Sequence, residues 1–132
     1  MFKAKRAFSG FSVDDLGKAK AFYTETLGLA VEEIPGMGMT ISLPGGGSHF
    51  VYDKPDHQPA TYTVLNFQVD DIDQAVDELA GRGVRFERTE GGPGPQADAK
   101  GIVRSGDQNP GPSIAWFKDP AGNFMSVLTG AE

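Results

Sequence analysis

Phe11-Ser12-Val13-Asp14-Asp15-Leu16 occurs again as Phe67-Gln68-Val69-Asp70-Asp71-Ile72, 67 − 11 = 56 residues later. The likeness extends beyond the six residues. Each Asp-Asp pair runs into an amphipathic stretch with alanine at the matching place, Ala19 and Ala75. Gly28-Leu29-Ala30-Val31-Glu32 is then answered by Gly83-Val84-Arg85-Phe86-Glu87, and Pro44-Gly45-Gly46 by Pro120-Ala121-Gly122. A motif that returns in order with its flanking segments describes an architecture of two similar halves.

Those halves share 132 residues. That is the length of one domain, and half of it is too small to bury a core alone, so the halves should pair within one fold. The first repeat is expected at 4–53, a linker at 54–60 and the second repeat at 61–130. With 39% hydrophobic and 23% charged residues, the chain has the composition of an ordinary soluble globular protein. Absence of cysteine excludes a disulfide framework, a thiolate metal site and a cysteine nucleophile. A formal charge of −6 argues against nucleic-acid and anionic-membrane partners, which are held by Lys and Arg. Lys3, Lys5 and Arg6 are not followed by the apolar run of a signal peptide, and no stretch approaches the ~20 apolar residues that span a bilayer. A cytoplasmic protein is the expectation.

Residues 4–13 alternate as a half-buried strand, with Phe11 and Val13 on one face and Phe8, Gly10 and Ser12 on the other. Asp14 or Asp15 is the expected helix N-cap, and Leu16, Ala19, Phe22, Tyr23 and Leu27 form one apolar helical stripe closed by Gly28. Strands follow at 29–34, 38–43 and 48–53. The second half repeats the order. Tyr62 to Val69 is a strand, with Leu65, Phe67 and Val69 opposite Val64, Asn66 and Gln68. Ile72, Ala75, Val76, Leu79 and Ala80 make the helical stripe. Strands are expected at Val84–Thr89, Ile114–Lys118 and Asn123–Thr129. Between them Glu90 to Pro112 is dominated by glycine and proline, with a short strand candidate at Gly101–Arg104. It reads either as a functional lid or as a disordered segment. Each half is thus β-α-β-β-β, and the class is α+β.

This doubled pattern resembles the vicinal oxygen chelate superfamily, the glyoxalase/bleomycin-resistance/dioxygenase fold. The likeness is carried by Val13-Asp14-Asp15-Leu16, Phe22-Tyr23, Leu27-Gly28-Leu29, Val69-Asp70-Asp71-Ile72 and Ala75. The closing Trp116-Phe117-Lys118-Asp119-Pro120-Ala121-Gly122-Asn123 is similar to the family's F-x-D-P-x-G-N ending. The resemblance implies two curled modules forming one cupped mixed sheet, helices outside, a ligand in the cup, and assembly as a homodimer. It also implies four metal-ligand positions, which fall on Phe8, Val64, Ser126 and either Val51 or Phe50. None of these is a good ligand for a divalent ion, which takes imidazole or carboxylate.

The expectation is therefore a metal-free small-molecule-binding protein with no cofactor, of the antibiotic-sequestering kind, holding a small aromatic or antibiotic-like ligand. Its expected pocket residues are Phe8, Ser12, Val51, Val64, Asn66, Gln68, Trp116 and Ser126, an apolar lining with a few polar points. The alternative is a lyase, isomerase or dioxygenase-type enzyme of the same superfamily acting on a small carbonyl or aromatic substrate. Of the two histidines, His49 is the catalytic candidate if its side chain, in phase with Val51, faces the cup. His57 lies in the linker. The Asp14/Asp15 and Asp70/Asp71 pairs read as helix caps, and Gly45-Gly46-Gly47 as a hairpin turn. No nucleophile elbow, phosphate loop or dinucleotide fingerprint is present.

Overall fold

The computed structural model describes residues 1–88, 96–106 and 110–130, so the segment expected as a lid or disordered stretch lies partly outside the described residues. The chain divides into two compact units, Met1–Pro59 and Ala60–Glu132. The first contains β1 (Ser9–Val13), α1 (Leu16–Ala21) running directly into a π-helical turn (Phe22–Thr26), β2 (Ala30–Ile34), β3 (Gly38–Ser42) and β4 (Ser48–Asp53). The second contains β5 (Thr63–Val69), α2 (Ile72–Gly81), β6 (Ile102–Val103), β7 (Ile114–Lys118) and β8 (Phe124–Thr129). Each unit is α+β with its own four-stranded mixed sheet, ordered β1-β4-β3-β2 and β5-β8-β7-β6. In both, the first strand lies parallel to the last, and the remaining ladders are antiparallel. No helix among the described residues is long and apolar enough to cross a membrane.

The helix starts follow from the aspartate pairs. Of each pair, the second residue is the cap. Asp15 accepts from the Lys18 amide and Asp71 from the Gln74 amide, both at 3.0 Å from an extended backbone. Such a cap contributes about 1 kcal/mol by satisfying a free first-turn donor. One face of the first sheet carries Phe11, Val13, Met39, Ile41 and Val51, all buried with Ala19 and Tyr23 of the helical segment. The matching face of the second sheet carries Leu65, Ala115, Phe117, Met125 and Val127, buried with Ile72 and Val76 of α2. The opposite face of each sheet is the open one.

Two strands differ from expectation. Residues 4–8 stay exposed outside β1, because β4 supplies partners only from His49 onward, opposite Ser9. The strand expected from Val84 is reduced to a single bridge, Phe86 to Phe117. The edge of β7 is shared, since Ile102–Val103 takes Ala115 and Ile114. Gly101 makes that sharing possible. At φ +88° it passes so close to Phe86 that a Cβ there would lie 2.9 Å from the Phe86 Cβ.

The described part of the long connection, residues 96–106, is a built strap. The Asp98 carboxylate accepts from the Lys100 and Ile102 amides, both at 2.9 Å. Arg104 forms two hydrogen bonds to Asp73 on α2, at 2.7 and 2.8 Å, and Lys100 reaches Asp73 and Asp77. These partners hold the Asp73 carboxyl well below the usual carboxylate range, Arg104 first and Lys100 second.

Candidate functional site

The closing motif turns out to be architecture. Asp119 and Asn123 are 4% and 1% exposed, so their polar atoms need partners. Asp119 Oδ1 accepts from the Ala121 and Asn123 amides at 3.0 and 2.8 Å, and Asn123 Nδ2 donates to Asp119 Oδ2 at 3.2 Å. Asn123 Oδ1 in turn accepts from the Ala60 amide at 3.1 Å, which fixes the chain just before β5. The motif closes the β7–β8 hairpin and aims the residues on either side of it.

Those residues line a cavity on the second unit. Its walls are Thr61, Tyr62, Thr63, Glu87, Trp116 and Phe124, and its volume is about 260 Å³. The parallel register places Thr63 beside Phe124 and, after an irregularity between Thr63 and Leu65, Asn66 beside Ser126. Such a bulge re-aims side chains at the end of a strand. Here it brings the Thr63 hydroxyl to the Trp116 indole, whose Nε1–H donates to it at 3.1 Å. The indole is thereby oriented while remaining partly exposed. Lys118 lies on the same face, with its Nζ 4.9 Å from the Phe124 ring centroid and 3.7 Å from Glu87 Oε1.

Of the residues expected to form a pocket, Trp116 lines this cavity. Ser126 is fully buried and donates to Asn66 Oδ1 at 2.5 Å; Asn66 and Gln68 are exposed on the same open face, and Val64 is half-buried at the bulge. In the first unit Ser12 lies on the open face, where its hydroxyl shares a 2.7 Å hydrogen bond with His57 Nδ1. Its strand neighbour Tyr52 stacks on Phe50, with centroids 6.0 Å apart. Phe8 is 55% exposed, with the Arg6 guanidinium 4.8 Å over its ring.

Two expectations are corrected. Val51 and His49 are in phase, but on the helix-covered face: Val51 is fully buried, and His49 packs edge-on to Phe11 at 5.4 Å. Since β1 pairs with β4 as β5 pairs with β8, and Gly10 corresponds to Asn66, the counterpart of Ser126 is Phe50. His49 Nδ1 is buried without a hydrogen-bond partner, and desolvation lowers the histidine's pKa against the opposing effect of a bond with the Ser9 backbone. The imidazole thus lies on the helix-covered face of its sheet, away from the open one.

Thr61, Thr63, Glu87 and Phe124 were not singled out from the sequence. The register that joins them depends on the bulge, which leaves no residue signature. The metal positions implied by the resemblance do not fit a divalent ion. Phe8 and Phe50 present rings, Val64 an alkyl group, and Ser126 a hydroxyl already committed to Asn66. Among the described residues no three His, Asp or Glu side chains come together as an ion site.

Two parallel-closed β-α-β-β-β units with open, ring-lined faces place the chain in the class of duplicated α+β modules. More specifically, residues 8–127 match the model of the Glyoxalase/Bleomycin resistance protein/Dioxygenase superfamily, and the chain belongs to that superfamily. Among solved structures it is similar to TnmS3, an antibiotic binding protein from Streptomyces sp. CB03234 (26% identity, 97% of this chain and 98% of that one, TM-score 0.63). A glyoxalase/bleomycin resistance protein from the same organism shows 28% identity over 93% of this chain and 100% of that one, with a TM-score of 0.61. A superfamily member from Sphaerobacter thermophilus DSM 20745 shows 24% identity over 95% and 98%, with a TM-score of 0.65. No protein of curated function matches the chain.

Proposed function

We propose that the protein binds a small aromatic, antibiotic-like molecule without a metal ion, and that the ligand stacks in the cavity of the second unit. The observation that carries this reading is the Trp116 indole, oriented by Thr63 and partly exposed in a cavity that Tyr62 and Phe124 also line. Aromatic rings with a few fixed polar groups are what recognition of a flat molecule calls for. The similarity to TnmS3, described as antibiotic binding, supports the same reading. Asn66 and Gln68, exposed on the same open face, are proposed as the polar points, with the buried Ser126 hydroxyl orienting Asn66. The homodimeric assembly and cytoplasmic placement expected from the sequence belong to this proposal, and sedimentation checks the first.

Trp116 is the single tryptophan, so its emission reports on the site alone. Titration with a panel of planar aromatic antibiotics should give a saturable change in emission. Trp116→Leu should weaken binding of the same compounds at least tenfold by calorimetry, an interval of about 1.4 kcal/mol. Flat calorimetry across the panel overturns the proposal.

A further inference from the structure

Lys118 reaches two walls of this cavity, Phe124 and Glu87, in an arrangement that points to a charge preference. Its ammonium lies over the Phe124 ring and within ion-pair distance of Glu87 Oε1, while Phe124 and Glu87 are themselves cavity walls. A ring face carries negative potential, and a carboxylate beside it adds to that potential, so the two together hold a cation. Lys118 and Glu87 are 45% and 39% exposed, and a lysine side chain has enough freedom to swing into water. We infer that the Phe124 face and Glu87 form an ammonium subsite, with Lys118 as its internal occupant, and that the preferred ligand is an aromatic molecule bearing a protonated amine that displaces Lys118. The inference rests on the binding role proposed above.

In this arrangement Trp116 and Tyr62 take the ring, and Phe124 with Glu87 takes the amine. Lys118 then acts as a competitor. Removing it strengthens binding of a cationic ligand, the opposite of what deleting a contact residue does. An anionic ligand, by contrast, would keep Lys118 and be repelled by Glu87.

The test uses two probes with the same ring, 1-naphthylmethylamine (protonated at pH 7.5) and 1-naphthylmethanol (neutral). Both are titrated against the full chain by NMR of the single indole N–H. Lys118→Met should bind the amine about three- to tenfold more tightly, the range of one cation–π contact with its charge partner, and the alcohol unchanged. Glu87→Gln should weaken the amine by a similar factor and spare the alcohol. An equal gain for both probes in Lys118→Met would mean that the lysine merely obstructs an apolar pocket, and the inference falls. An alcohol that binds in all three proteins with no amine preference in Lys118→Met also overturns it, while leaving the binding role intact. Failure of both probes in every protein overturns the inference together with the binding role at this cavity.

Discussion

Replacing Asp119 with alanine removes the acceptor of three hydrogen bonds at once, from the Ala121 amide, the Asn123 amide and Asn123 Nδ2. Water cannot replace it without opening the turn, because Asp119 and Asn123 are nearly inaccessible. A buried donor left without a partner costs about 1–3 kcal/mol. Three such donors, partly relaxed by movement of the turn, give a loss of about 4 kcal/mol. For a chain of this size that corresponds to a fall in Tm on the order of 10–15 °C. Asp119→Asn supplies the control. Its Oδ1 still accepts from both amides, but its amide group faces Asn123 Nδ2, donor against donor. One of three interactions is lost, and the expected cost is about 1–2 kcal/mol. Thermal and urea unfolding followed by circular dichroism reads both. Equal losses in the two variants, or a loss below about 1 kcal/mol in Asp119→Ala, would refute the claim that these hydrogen bonds hold the hairpin.

His49 gives a pH test. Its folded-state pKa is lowered, chiefly by desolvation, so below the ordinary value near 6.5 the unfolded chain binds the proton more readily. Stability is therefore full above that value and lost as pH falls through the lower, folded one. The wild-type urea midpoint should fall between pH 8 and 5 more steeply than that of His49→Leu, and parallel slopes would contradict this account. Gly38→Ala places a Cβ at φ +153° against the Val51 carbonyl oxygen, and should cost about 3 kcal/mol or more, read as a lowered urea midpoint. In Arg104→Ala the Asp73 carboxyl loses the first cause of its depression, so its titration by NMR should move upward toward the usual range. Chelator-stripped protein should melt unchanged on addition of Zn²⁺, Ni²⁺, Mn²⁺ or Fe²⁺. A bound ion at a hundredfold excess over its Kd would add about 2.7 kcal/mol and refute the metal-free reading.

The fold was legible because it is written twice. Phe11 to Leu16 and Phe67 to Ile72 carry both the alternation of a strand and the cap of a helix, and those local signals act alike in each unit. The strand expected at Val84 misled because local propensity does not report that Ile102–Val103 competes for the same edge. At the site, Trp116 was visible as the single tryptophan, in the middle of a strand. Thr63 and Phe124 were not, since they meet through a register set by a bulge. His49 and Phe50 show the limit most plainly. Alternation says that they face opposite ways, but not which way is inward; the parallel pairing with β1 decides that. Conversely, the Asp119–Asn123 motif is conspicuous in sequence, yet the hydrogen bonds described above spend it on the turn and on Ala60.

The π-helical turn at Phe22–Thr26 records something about how the two halves came to differ. Ala19 and Ala75 are 75 − 19 = 56 residues apart, but Gly28 and Gly83 are 83 − 28 = 55 apart. One residue has entered or left between those landmarks, inside the helix. Where the second unit winds regularly, the first closes Leu27 N–H onto the Phe22 carbonyl, five residues back, at 3.0 Å. A five-residue turn takes up a single extra residue and returns the chain to phase, so Gly28 ends the first helix where Gly83 follows the second. The one-residue difference in length is taken up within one turn of helix, and the strands before it, β1 and β5, keep the same parallel pairing with β4 and β8.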